Sequence, residues 1–426
     1  MERAIIQQNS HWKGENYSQV FDRPLLDKLI EKLELKEIQV LLGIRRSGKS
    51  SFFRMLINYL IKHEDPGSIL FINCEDPFFS EIWNDASKLH IIVELAEKIT
   101  AVPVKYLFLD EIQVINNWEK YVKSVYEAGK FKKIFITGSN YDLLEGNYIN
   151  MLSGRYLSDV IYPLSFSEQL IHSGIKSSVD IISENPTILR LLDNSLYYGS
   201  FPEIFKTKKN EHKRQILLNY YETIVLKDCL LNNNIRDAIL FRNLANYLLT
   251  NSASVFSYNS LAKALDSNEN TMKQYLQILE KSYIIKELQH FSYSLKSQTK
   301  TKKKAYCIDN GLINAISLRF SSDYGKLLEN LVFVEILKLN KFEIFFHNET
   351  EECDFILKNR KKLIAVQVAY ELNDKTEKRE FKGLEAVKKK YGTFRSFIVT
   401  YNQNFEKNGV RIMSFGRFIN ELKYMK

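Results

Sequence analysis

Residues 38–50 read IQVLLGIRRSGKS. A short apolar run enters a loop with glycine at both ends, Gly43-Ile44-Arg45-Arg46-Ser47-Gly48-Lys49-Ser50. The loop opens directly into a segment where Phe52, Phe53, Leu56, Ile57, Leu60 and Ile61 recur at helical spacing. Strand, glycine loop and helix form the setting that the phosphate-binding pattern G-x-x-x-x-G-K-[ST] requires. Gly43 and Gly48 let the backbone wrap an anion, and the helix start presents N–H groups and a positive dipole end to it. In that setting Gly43, Ser47, Gly48, Lys49, Ser50 and Ser51 are the expected nucleotide contacts. Lys49 faces the β- and γ-phosphates, and Ser50 ligates Mg²⁺. Arg45 and Arg46 put two permanent charges in the loop, able to meet phosphate or to pair with a nearby acid.

Further runs of the same kind follow. ILFIN (69–73), YLFL (106–109), KIFIT (133–137) and DVIYP (159–163) are nearly continuous apolar stretches between helical ones. They predict a parallel α/β sheet buried on both faces. YLFL runs into Asp110-Glu111, about 60 residues beyond the loop. Asp110 is placed to hold Mg²⁺, and Glu111 to act as general base on the attacking water. The following run ends Thr137-Gly138-Ser139-Asn140, where Asn140 or Ser139 is the expected sensor of the γ-phosphate.

Bulk properties set the outer limits. The chain has 426 residues, 26% of them charged, with a formal net charge of +9, which favours a polyanionic partner. No run of 18 apolar residues predicts a membrane helix. The opening MERAIIQQNSHWKGE lacks the apolar core of a secretory signal. Cys74, Cys229, Cys307 and Cys353 are isolated in sequence, and the seven histidines are scattered. That spacing predicts neither a disulfide framework nor a metal cluster, and a cytoplasmic setting.

From residue 166 to 250 the pattern is helical throughout. FSYNSLAKALDSNENTMKQYLQILEKSYII (256–285) then reads as two short helices and a strand start, followed by the lysine run KSQTKTKKK (296–304) and AYCI. This is the grammar of a helix-turn-helix with a basic wing. Lys273, beside Asn270 and Gln274, is expected to face a groove of DNA. Lys296, Lys300, Lys302, Lys303 and Lys304 are expected to contact its phosphates.

GIRRSGKS, YLFLDE, ITGSN, LSGRY (152–156) and YPLSFSE (162–168), in this order, resemble the AAA+ ATPases of the group found in archaea and bacteria, many of which carry a C-terminal domain similar to restriction endonucleases. The resemblance implies a sheet of order 5-1-4-3-2 and a helical lid, with ATP and Mg²⁺ as cofactors. It makes Arg155 an arginine finger or sensor. As a finger in trans, Arg155 would require a homo-oligomer. It also sets Gly199 and Pro202 of the segment 198–202 near the adenine. The implied layout is an ATPase core over 1–165, a lid over 166–250, a winged helix over 251–310 and a nuclease-like domain over 311–426. In that last domain Glu329 and Asp354 match two metal-binding acids. The third element, expected to read E-x-K, is here Gln367-Val368-Ala369. Glutamine is a poor ligand for a hard cation and alanine is none, so the resemblance implies a nuclease-like fold without cleavage. The expected function is ATP hydrolysis driving conformational change on DNA. The alternatives are a nucleotide-controlled switch that docks a protein and an ATP-gated nuclease.

Overall fold

The computed structural model describes residues 1–18, 21, 23–139, 151–176, 185–231, 233, 235–294, 302–317, 323–392 and 395–425. The chain divides into two compact units, Met1–Tyr162 and Pro163–Lys426.

The first unit is built on five parallel strands: β1 (Ile38–Leu42), β2 (Ile69–Asn73), β3 (Tyr106–Asp110), β4 (Lys133–Gly138) and β5 (Tyr156–Val160). Their order is β2-β3-β4-β1-β5, the expected 5-1-4-3-2 arrangement read from the other edge. β1, β3 and β4 are buried along their whole length, which is why they read as unbroken apolar runs. β5 begins three residues before the run that suggested it. It is an edge strand with partly exposed faces, so polar Ser158 and Asp159 lie inside it and the apolar run marks its exit.

The helix Lys49–Leu60 buries Phe52, Phe53, Leu56 and Ile57 against the sheet. Phe108 and Phe135 stack at 4.3 Å between ring centroids, and Phe53 meets Phe108 edge-on at 5.1 Å. Each such ring contributes on the order of 2 kcal/mol by burial, so the helix carrying Lys49 and Ser50 is rigidly seated. The N-terminal segment covers the opposite edge of the sheet. The Asn9 side chain donates to the Phe71 carbonyl and accepts from its N–H, completing the outer ladder of β2.

The second unit starts with the helices Phe166–His172, Asn185–Tyr198, Asn210–Thr223 and Ala238–Thr250. Next come the helices Tyr258–Ala264 and Glu269–Lys281, capped by Ser257 and Asn268. They pack beside three antiparallel strands, β6 (Val255–Phe256), β7 (Ile285–Gln289) and β8 (Lys303–Cys307), in the order β6-β8-β7. This is the helix-turn-helix with a wing sheet that the sequence predicts. A mixed six-stranded sheet completes the unit: β9 (Glu343–Asn348), β10 (Glu352–Asn359), β11 (Lys362–Val368), β12 (Arg395–Thr400), β13 (Phe405–Lys407) and β14 (Val410–Ser414). The helices Tyr324–Leu339 and Asp374–Tyr391 belong to it. The segments expected as lid, wing and C-terminal domain therefore fall within one compact unit. Among the described residues, no helix is long and apolar enough to cross a membrane.

One boundary corrects the sequence reading. β8 begins at Lys303, two residues earlier than expected. Lys303 and Lys304 pair with Phe256 and Val255 in the ladder, and both are buried. Alternation along a strand sends adjacent side chains to opposite faces, so a run of lysines cannot stay in solvent once the sheet takes it up.

Candidate functional site

The loop between β1 and its helix has the backbone that its glycines permit. Gly43 has φ of 136°, and a Cβ there would lie 2.1 Å from the Ile161 carbonyl oxygen. Gly48, at φ of 103°, ends the loop as the N-cap of the helix Lys49–Leu60. Arg46 is exposed and takes a left-handed φ of 70°, a conformation unusual for a residue with a Cβ.

Lys49 is buried. Its ammonium donates to the Gly43 carbonyl at 3.0 Å and the Ile44 carbonyl at 3.4 Å, and lies 3.7 Å from the Glu111 carboxylate. Asp110 sits at the end of β3, with Thr137 Oγ1 donating to its Oδ1 at 2.5 Å and Ser50 also bonded to it. Burial, then the charge of Glu111, pushes Asp110 up to about 6, against the Thr137 and Ser50 hydrogen bonds and the charge of Lys49. Glu111 goes the other way. Burial works to raise it, but the charges of Lys49 and Arg45, with hydrogen bonds from Gln113 and Ser139, hold it below the usual range. The pair is thereby split: Glu111 stays ionised while Asp110 takes up any shared proton first.

These groups fit a magnesium-bound nucleotide. Lys49 is held by carbonyl oxygens that an anion can replace. Among the described residues, the buried Ser47 hydroxyl has no hydrogen-bond partner. Ser50 and Asp110 place a hydroxyl and a carboxylate together, the oxygen donors that Mg²⁺ prefers. Asn140, the expected sensor, lies outside the described residues. Its neighbour Ser139 bonds Glu111, and Thr137 bonds both Asp110 and, at 2.9 Å, the Glu111 N–H.

Of the two loop arginines, Arg45 pairs with Glu75 beyond the end of β2, at 3.2 and 3.4 Å. Arg23 is a contributor that the sequence reading missed. It is buried over the Phe52 ring, 5.0 Å from the centroid, and donates to the Ser47 carbonyl at 3.1 Å and the Tyr162 carbonyl at 3.0 Å. It ties the loop to the end of the sheet. No motif marked it, because an arginine before Pro24 is unremarkable until the chain folds back.

Comparison with known proteins agrees with this geometry. The family model of an AAA domain matches residues 35–170. Two domains of unknown function, DUF8612 and DUF4143, match residues 189–323 and 324–418. The uncharacterized protein MJ1544 of Methanocaldococcus jannaschii is 33% identical over 404 residues, covering 92% of this chain and 87% of that one. The chain belongs to the MJ1544 family. An uncharacterized protein of Haemophilus influenzae is 28% identical, covering 91% of this chain and 95% of its own. Among solved structures, Aeropyrum pernix Orc1 in complex with DNA aligns at a TM-score of 0.32 and 12% identity, covering 68% of this chain and 91% of that one. AMPPCP-bound DnaA from Aquifex aeolicus aligns at 0.29 and 14%, covering 60% and 86%. Over residues 35–170 this member of the MJ1544 family has the AAA-type P-loop fold that the family model describes.

Other expected site residues fall elsewhere. Arg155 pairs with Glu127 at 2.9 Å. Its carbonyl accepts from Ile38 N–H, at the start of β1. The phosphate loop leaves the far end of that strand, roughly 16 Å away at ~3.3 Å per residue. Arg155 therefore sits at the end of the sheet opposite the phosphate loop. Pro202 opens the helix Pro202–Lys206 of the second unit. Gly199 has its own structural cause: a Cβ there would meet the Asp309 carboxylate at 1.7 Å.

In the second unit, Lys273, Asn270 and Gln274 are exposed on the second helix, as expected, and Lys302 is exposed before β8. Lys296 and Lys300 lie outside the described residues. Lys304, expected on phosphate, is buried among carboxylates: Glu352 at 2.7 Å, Glu329 at 2.8 Å and Asp354 at 3.3 Å. Lys303 is buried as well, which pulls its ammonium below the usual lysine range. Neither can neutralise a DNA backbone from there. The carboxylates line a cavity of about 860 Å³ with Gln367, Arg379 and Glu380. Burial, then Asp354, pushes Glu329 up to about 8. Burial and Asp354 also raise Glu380, to about 7. Gln367 at the third position accepts from Asp354 N–H at 2.7 Å and donates to the Glu352 carbonyl at 2.9 Å. It is a strut between backbones, in the place where a carboxylate would hold a hard cation.

Proposed function

We propose that this protein is a magnesium-dependent ATPase whose nucleotide cycle drives a conformational change. The observation that carries it is the set Lys49, Asp110 and Glu111, with the two carboxylates driven apart in proton affinity. Lys49 exchanges its loop carbonyls for phosphate oxygens. Asp110 and Ser50 hold Mg²⁺, which neutralises phosphate charge when bound. Glu111, ionised, accepts the proton of the attacking water. Thr137 fixes Asp110, and Gln113 and Ser139 orient Glu111. Arg155, half-exposed on the surface, serves as a finger only toward a neighbouring chain.

The polyanion favoured by the charge of +9 is DNA. The exposed Lys273, with Lys302 and the wing lysines before it, is the proposed contact. A second reading, a switch that docks a protein, gains from the burial of Lys303 and Lys304, which removes two of those charges. The C-terminal sheet, with Glu329 on a helix and Asp354 on a strand, supports a nuclease-like domain kept for binding. Gln367 speaks against cleavage.

The test is steady-state hydrolysis with Mg²⁺, with and without duplex DNA, at low and moderate salt, with Glu111→Gln alongside. Stimulation by DNA that fades with salt supports the DNA-coupled ATPase. Turnover indifferent to DNA moves the reading to the protein-docking switch. Equal turnover in Glu111→Gln overturns the site assignment.

A further inference from the structure

The scattered histidines give no metal pattern in sequence, yet the fold brings two of them together with an acid. His290 follows β7 and forms an isolated bridge with Phe346 of β9. The Phe291 N–H donates to the Phe346 carbonyl at 2.8 Å, which fixes His290 beside His347. The rings lie 5.1 Å apart, and both residues are buried. Glu349 stands exposed in the turn between β9 and β10. Ligand atoms of His290, His347 and Glu349 all lie within 4.8 Å of one another.

His290 is 5% exposed, and among the described residues neither of its ring nitrogens has a hydrogen-bond partner. Its neighbour is oriented differently. Tyr391 donates to the Phe291 carbonyl at 3.2 Å, and His347 Nδ1 lies 3.4 Å from the same hydroxyl oxygen. With its proton on Nδ1, held by that oxygen, His347 would present Nε2 to an ion, the arrangement by which outer groups orient metal-bound histidines. Both rings are neutral: burial, then His290, lowers His347 to about 4, and burial lowers His290.

We infer that His290, His347 and Glu349 form a site for a borderline divalent transition ion, Zn²⁺ above all. Two neutral imidazoles and one carboxylate match that ion and suit neither Mg²⁺ nor Ca²⁺. Tetrahedral zinc needs ligand atoms about 3.4 Å apart, so the three groups, within 4.8 Å of one another here, draw closer around the ion. In the metal-free arrangement Lys390 pairs with Glu349. The ion displaces that ammonium and ties the segment directly after β7 to the β9–β10 hairpin.

The full chain, stripped with a chelator, is titrated with Zn²⁺ against a chromophoric chelator, and with Co²⁺ read by visible absorption. Excess Mg²⁺ is present to fill the oxygen site of Ser50 and Asp110. One Zn²⁺ per chain is expected. His290→Gln and Glu349→Gln are each expected to weaken binding by about tenfold or more. Lys390→Met, which removes the competing ammonium, is expected to tighten it. Absence of stoichiometric uptake overturns the site, as does uptake unchanged in both ligand variants. Should His290→Gln fail to fold, Glu349→Gln, in an exposed turn, decides alone.

Discussion

Lys304→Met separates a buried lysine from a wing lysine. The Lys304 side chain is 1% exposed and bonds three carboxylates between 2.7 and 3.3 Å. Removing one partner of a buried ionic cluster costs about 3–5 kcal/mol, because the remaining charges keep their desolvation penalty. A solvated wing lysine would change stability by no more than about 0.5 kcal/mol. At roughly 2–4 °C per kcal/mol for domains of a few hundred residues, the variant should melt about 10 °C lower. The pH dependence adds a second reading. Glu329 is raised from 4.5 to about 8 in the folded protein, so folding favours its protonated form. Its contribution to stability is greatest below about pH 4.5 and declines as pH climbs through 8. Lys304 opposes that rise. Without it the Glu329 value climbs further, and the variant should go on losing stability above about pH 8, where the wild-type contribution levels off. Thermal unfolding followed by circular dichroism at several pH values measures both. A melting temperature within about 2 °C of wild type, with the same pH dependence, would refute the buried-cluster account.

Three further outcomes follow from the nucleotide site. Lys49→Ala should abolish ATP binding or turnover, whereas Glu111→Gln should retain binding and slow hydrolysis by about 10²–10⁴-fold, checked by equilibrium binding and single-turnover assays. Gly43→Ala should disable the loop, since its Cβ would meet the Ile161 carbonyl at 2.1 Å; nucleotide affinity comparable to wild type would count against that geometry. Asp110 is raised to about 6, so it is ionised above that pH and protonates as pH falls through it. The Mg²⁺ concentration for half-maximal turnover should therefore rise below about pH 6, and a flat response from pH 8 to 5 would exclude Asp110 as the metal ligand.

The parallel sheet and the positions of Lys49, Ser50, Asp110 and Glu111 were legible in the chain, while the strand order came from the resemblance to AAA+ ATPases. Strands buried on both faces advertise themselves as apolar runs, and glycines with positive φ leave a fixed spacing. Those signals are local, each carried within about ten residues. The edge strand β5 was misplaced because a half-exposed strand mixes polar with apolar residues. Arg23 escaped notice because its meaning lies in contacts with Ser47 and Tyr162, far along the chain.

The lysine run shows the limit most clearly. By itself KSQTKTKKK is a set of charges, and charge alone says solvent or phosphate. Register decides otherwise: once β8 pairs with β6 and β7, Lys304 points inward, and Glu329, Glu352 and Asp354, 25 to 50 residues away, make its burial tolerable. His290 and His347 are likewise 57 positions apart and meet only through the bridge to β9. The sequence alone marked the phosphate loop and the Asp110-Glu111 pair, because each is written in a few adjacent residues. Tertiary structure alone decided which charges face solvent and which distant side chains share a site, because burial and proximity are set by long-range pairing that no local pattern records.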